Sequence, residues 1–123
     1  MNIVLHTQIQ PFVSKAAKDH VSAKDTKNTI WFTYDCNTAQ PCFCGLIQVT
    51  GGFRVKAVWV HPSRRGAGIG KAMTKQLLDY AVNVLNAQII EVFAYNAKFY
   101  EAIGFVKYGA LSNGAQKLRK IYK

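Results

Sequence analysis

One stretch, Val58-Trp59-Val60-His61-Pro62-Ser63-Arg64-Arg65-Gly66-Ala67-Gly68-Ile69-Gly70-Lys71, joins a hydrophobic strand to a turn, a glycine-rich loop and the start of a helix. Such a stretch is suited to an anion. Glycines at alternate positions let a backbone approach a ligand without Cβ obstruction, and the following helix aims its free N–H groups and positive dipole end at the same place. Arg64, Arg65 and Lys71 add charge of the matching sign.

Two widespread phosphate loops do not fit. A P-loop has four residues between its first Gly and Gly-Lys-[Ser/Thr], whereas Gly66 and Gly70 enclose three and Ala72 follows Lys71, so no hydroxyl is offered to magnesium. A dinucleotide fingerprint reads G-x-G-x-x-G with an acidic residue at a strand end about twenty positions later. Here the spacing is G-x-G-x-G, and Glu91 falls inside the next predicted strand.

The pattern Arg65-x-x-Gly68-x-Gly70, after a strand that ends Val60-His61-Pro62, resembles the acetyl-CoA pyrophosphate loop of GNAT-type N-acetyltransferases. A second block, Ala97-Lys98-Phe99-Tyr100-Glu101-Ala102-Ile103-Gly104-Phe105, resembles the Phe-Tyr-Glu-x-x-Gly-Phe segment that closes the cofactor cleft of that family. The two blocks stand in the family's order and span residues 53–108. The N-terminal part matches only in its pattern of elements.

Periodicity supplies that pattern. Ile3 to Ile9 reads as a strand, and Pro11 opens a helix whose apolar stripe is Val13, Ala16, Ala17, His20 and Val21. Ile30–Cys36 and Cys42–Val49 read as strands around a turn, and Thr50-Gly51-Gly52 marks a hairpin into Phe53–Val60. Strict alternation there sets Phe53, Val55, Ala57 and Trp59 on one face and Arg54, Lys56, Val58 and Val60 on the other. Ile69, Met73, Leu77, Tyr80, Ala81 and Val84 form the core stripe of the next helix. Ala87–Tyr95 is a buried strand, Asn96–Ile103 a short helix stopped by Gly104, Phe105–Tyr108 a strand, and Lys117–Tyr122 a strand that closes the sheet. The expected fold is α/β (α+β): one domain over residues 1–123, a mixed, mostly antiparallel sheet with a central splayed parallel pair, and about three flanking helices.

The resemblance implies site roles for residues that match its motifs. Backbone groups at Val58, Trp59 and Val60 would pair with the pantetheine arm of acetyl-CoA, the expected co-substrate. The phosphates would meet Arg64, Arg65, Gly66, Ala67, Gly68, Ile69, Gly70 and Lys71. Tyr100 corresponds to the family's general acid, placed to protonate the departing sulfur. Asn96 is a further cofactor contact, although it stands nearer to Tyr100 than the corresponding Asn of many members. Strand 53–60 has no carboxylate, so Glu91 is the first choice for the base that deprotonates the amine, with Asp35 and His61 behind it.

A single helix fits between the first two strands where the family commonly has two. An open acceptor cleft follows. It would suit a macromolecular end or side chain, or equally a small amine in a site completed by the second subunit of a homodimer. A coenzyme A-binding module without turnover and a basic nucleic-acid-binding domain are the alternative readings.

Sixteen Lys and Arg against six Asp and Glu give a net charge of +10. Part of that charge serves coenzyme A, and the rest, including the tail Lys117–Lys123, suits either solvation or an acidic macromolecular partner. No apolar run approaches the roughly 18 residues that span a membrane, and the first residues lack the marks of a signal peptide. A cytoplasmic location with reduced thiols is therefore expected. Cys42-x-Cys44 alternates along a strand and lacks metal-ligand spacing, so no metal is expected.

Overall fold

The computed structural model describes residues 1–34 and 39–122. Asp35 and Cys36, named above, lie outside them, as does Lys123 of the basic tail. The strands are β1 (Asn2–Val4), β2 (Thr29–Tyr34), β3 (Cys42–Val49), β4 (Gly52–Val60), β5 (Ile89–Ala94), β6 (Val106–Ala110) and β7 (Gln116–Ile121). The α-helices are α1 (Val13–Lys18), α2 (Ile69–Asn83) and α3 (Ala97–Glu101). One sheet orders the strands β1-β2-β3-β4-β5-β7-β6. Among the described residues, only β4 and β5 run parallel, and every other pair is antiparallel. This is the expected α+β architecture.

Each face of the sheet has its own apolar cluster. On one, α2 lays Met73, Leu77, Leu78 and Ala81 against Phe32, Leu46, Val55, Ile90, Val92 and Leu118, with Tyr100 and Phe105 beside them. On the other, Ile9, Ala16 and Ala23 cover Trp31, Phe43 and Trp59. Each fully buried Leu or Ile contributes about 1.5–3 kcal/mol by leaving water, which fixes α2 across the sheet. No helix among the described residues is long and apolar enough to cross a membrane.

The structure corrects the alternation expected in β4. Phe43 pairs with Trp59 but Gly45 pairs with Lys56, so Cys44 faces both Ala57 and Val58. This is a β-bulge, and Ala57 takes a φ of +56° to make it. The extra residue reverses the phase of the strand. Val55 belongs to the α2-side cluster, with Val58 and Val60 packed against it, whereas Trp59 belongs to the opposite cluster with Ala57.

Other boundaries differ for identifiable reasons. The first strand stops at Val4 because Leu5 and Gln8 close a 3₁₀ turn, in which the Leu5 N–H donates to Gln8 Oε1 at 2.9 Å. A second 3₁₀ turn, Gln10–Phe12, precedes α1, so Pro11 opens that turn and the α-helix starts at Val13. His20 falls outside α1, in the left-handed region at φ +61°. The last strand does not close the sheet at its edge. β7 inserts between β5 and β6, where Leu118 is fully buried, and leaves the exposed β6 as the edge.

Candidate active site

The parallel pairing of β4 and β5 lasts for only three registers, Phe53 with Ile90, Arg54 with Glu91 and Val55 with Val92. Beyond it the strands part. β4 continues on β3 as far as Val60, and β5 continues on β7 as far as Ala94. The bulge at Ala57 bends β4 away at this point, because an added residue increases local twist. A cleft of about 860 Å³ opens there, lined by Val58 and Ala57 on one wall and by Phe93, Ala94, Asn96 and Tyr100 on the other.

A smaller depression of about 220 Å³ lies beyond Val60, lined by Arg64, Arg65, Gly66, Gly68, Ile69, Gly70, Lys71 and Phe99. Gly66 and Gly68 take φ of +86° and +76°, a conformation that a side chain makes costly, and Gly68 is the N-cap of α2. Ala72 donates to the Gly68 carbonyl at 3.1 Å, and the N–H groups before it have no place in the helical ladder. Lys71 is exposed and has no partner among the described residues. Oriented amides, a helix dipole and a free ammonium therefore face one spot, while Ala67 is exposed at the tip of the loop.

The two arginines are already engaged. Arg65 donates through Nε to the Val60 carbonyl at 3.0 Å and through Nη2 to Asp19 Oδ2 at 2.6 Å. Arg64 donates to the Gln40 carbonyl at 3.2 Å. Trp59 turns its ring to the far cluster, its indole N–H donates to Asp19 at 2.9 Å, and it is not among the residues lining either hollow. These two donors, Trp59 before Arg65 in effect, hold the Asp19 carboxyl below its usual range.

Tyr100 is buried beside Phe99 and Phe105, with edge contacts at 5.0 and 5.6 Å between ring centres. It still lines the cleft, and its hydroxyl has no hydrogen-bond partner among the described residues. Burial pushes the phenol above its ordinary value, so it stays protonated at physiological pH. Asn96 caps α3 by accepting the Phe99 N–H at 3.4 Å, and it also lines the cleft.

Glu91 is held elsewhere. Its carboxylate accepts Arg54 Nε at 2.7 Å and the Tyr108 hydroxyl at 3.1 Å, and it is not among the residues lining the cleft. His61 caps a short 3₁₀ turn by accepting the Ser63 N–H at 3.2 Å. Burial and then the neighbouring cations Lys15, Arg65 and Arg64 push its imidazole below the usual histidine value. His20, expected on the apolar stripe of the first helix, is placed differently by the structure. That ring lines the cleft and meets Tyr95 edge-on at 6.4 Å, yet its spacing from Val13 and Ala16 had set it on an apolar helix stripe.

Comparisons with known proteins agree with this geometry. A family model described as acetyltransferase (GNAT) domain matches residues 26–107. No curated protein matches the chain. Among solved structures, a Klebsiella pneumoniae protein presumed to be an acyl-CoA N-acyltransferase overlays with a TM-score of 0.78 at 12% identity, covering 99% of this chain and 96% of that one. Spermidine N-acetyltransferase SpeG of Vibrio cholerae, as its F149A mutant, gives 0.73 at 16% identity, with 98% and 93% covered. Rv2747 of Mycobacterium tuberculosis, solved with coenzyme A, gives 0.72 at 12% identity over the full length of both chains.

Proposed function

The chain belongs to the acetyltransferase (GNAT) domain family, and with it to the acyl-CoA-dependent N-acetyltransferases; from that premise we propose that it moves an acetyl group from acetyl-CoA to a primary amine by direct attack while both are bound. We further propose that residues 1–123 act as one domain. The observation that carries this reading is the parting of β4 and β5 at the Ala57 bulge, which ends at the N-terminus of α2.

The residues fit such a co-substrate. A linear, amide-bearing arm suits an exposed strand edge, and its phosphates suit the Gly66–Lys71 loop. Acetyl-CoA bound there supplies an activated acetyl thioester. Backbone N–H groups near Val58 polarise the acetyl carbonyl, and their fixed position in the bulge means that no reorganisation is needed as charge develops. Tyr100 donates its O–H toward the leaving sulfur. A thiol near its ordinary pKa of about 8.5 is the stronger acid of the two, so the phenol acts chiefly as a hydrogen-bond donor that stabilises the departing thiolate.

The acceptor amine must lose a proton. His20, which lines the cleft, is the proposed proton acceptor. Glu91 supports the site by holding Arg54 against its wall. The direct experiment adds acetyl-CoA to the protein and measures both its melting midpoint and amine-dependent thiol release across an amine panel. A midpoint shift with saturable release supports the reading, and a shift without release on any amine favours a coenzyme A-binding module.

A further inference from the structure

Among the described residues, the apolar cluster on the second face of the sheet covers β2, β3 and β4 and reaches Val4 of β1. Across β5, β7 and β6, no helix among the described residues packs on it, and the side chains there form a run of cations and aromatic rings that starts at the cleft. Arg54 lines the cleft and lies 4.3 Å over the Phe93 ring. Lys117 sits 5.9 Å from Phe93 and 5.8 Å from Tyr108, and Arg119 lies 4.9 Å over Tyr108. Lys117 and Arg119 have neither a carboxylate nor a hydrogen-bond partner among the described residues.

The carboxylates nearby are spent. Asp19 holds Arg65 and Trp59, Asp25 accepts the Trp31 indole N–H at 3.0 Å, and Glu91 holds Arg54 and Tyr108. Asp19 alone among described carboxylates lines the cleft. Among the described residues, a polycationic amine would find Lys56, Lys117, Arg119 and the Glu91-paired Arg54, and no carboxylate without a partner of its own. An amine flanked by carboxylates would find the reverse.

Resting on the acyltransferase reading, we propose that the acceptor amine is carried by an acidic polypeptide segment, which lies across the β5-β7-β6 face with its amine in the cleft. Lys117 and Arg119 share this face two residues apart in β7, a spacing of about 6.6–6.8 Å that matches alternate side chains of an extended peptide. Single-stranded nucleic acid fits less well. Its bases need open aromatic faces, and here guanidinium groups already lie over Phe93 and Tyr108.

The test uses the full chain and fluorescent peptides of equal length, each with one free amine flanked by Glu, Gln or Arg, read by anisotropy beside single-stranded DNA. The expected result is that the Glu peptide binds at least about tenfold more tightly than the Gln peptide. That advantage falls as salt rises and is lost in Lys117→Gln/Arg119→Gln with the acetyl-CoA midpoint shift intact. Equal binding of the Glu and Gln peptides, preference for the Arg peptide or spermidine, or tighter binding of DNA would overturn the proposal. Should the double variant melt early, the salt dependence of the unaltered protein decides, and salt-independent binding sinks the idea. Acid-selective binding with no thiol release on any amine would count against the acyltransferase reading and leave the docking face standing.

Discussion

Asp19, at the end of α1, accepts a hydrogen bond at 2.6 Å from Arg65, which stands at the entrance to the glycine loop 46 residues later. The same oxygen accepts the Trp59 indole N–H, so one carboxylate ties the first helix, the bulged strand and the proposed phosphate loop together. Arg65 lines the loop's depression while its Nε holds the Val60 carbonyl.

Removing this tie should loosen cofactor binding more than chemistry. Asp19→Asn is expected to weaken acetyl-CoA binding roughly three- to tenfold with kcat little changed, the pattern of lost uniform binding. Calorimetric titration with steady-state rates would check it. Because the Asp19 pKa is lowered in the folded state, its contribution to stability is present above the ordinary carboxylate value and lost as pH falls through the folded one. The melting difference between the two proteins should therefore vanish in strong acid, and a difference that persists there would show that the carboxylate charge is not what matters.

Ala57 offers a second test. Its φ of +56° costs a residue with a Cβ about 1–2 kcal/mol that glycine is spared. Ala57→Gly should keep activity and hold or raise the melting midpoint, whereas Ala57→Val should destabilise and lower turnover as the bulge shifts. Equal melting of the two variants would mean that the bulge does not need this conformation.

His20 also has a positive φ, +61°, so stability and function separate cleanly. His20→Gly is expected to raise the midpoint by a few degrees, because the same cost of roughly 1 kcal/mol is relieved, while turnover near pH 7 falls about ten- to a hundredfold. A folded variant that keeps the full rate removes His20 from the chemistry.

For Tyr100, Phe should lower kcat about ten- to a thousandfold with the KM for acetyl-CoA nearly unchanged, since the ring still packs. Ala should cost about 3–5 kcal/mol of stability as well. The phenol is raised on folding, so its contribution is complete below the ordinary tyrosine value near 10 and is lost at more alkaline pH, where the unfolded chain ionises first. Buried Cys44, also raised, acts in the same direction. Melting curves from pH 8 to about 11 should show stability falling, and less steeply in Tyr100→Phe.

The loop and the tyrosine were legible in the sequence because local residue types encode them. Gly66 and Gly68 announce left-handed backbone, and Asn96 and Gly104 bracket the helix that carries Tyr100. The bulge was not legible. Alanine carries no turn signal, and only the register against Cys44 reveals the added residue. His20 matched a helical stripe because nothing in the local pattern marks the end of α1 at Lys18. The insertion of β7 between β5 and β6, and the meeting of Asp19 with Arg65, are long-range pairings that no local periodicity contains. Glu91 looked available for catalysis since Arg54 and Tyr108, its partners, stand 37 and 17 residues away.

The most direct measurement of the central claim is thiol release from acetyl-CoA as an amine is titrated, with the product identified by mass spectrometry. The account predicts saturable release that requires both protein and amine, one acetyl group gained by the amine per thiol freed, and loss of the signal when Gly68→Val fills the loop. A folded protein whose melting midpoint ignores saturating acetyl-CoA and shifts instead with ATP or NAD, and which frees no thiol with any amine, would contradict it.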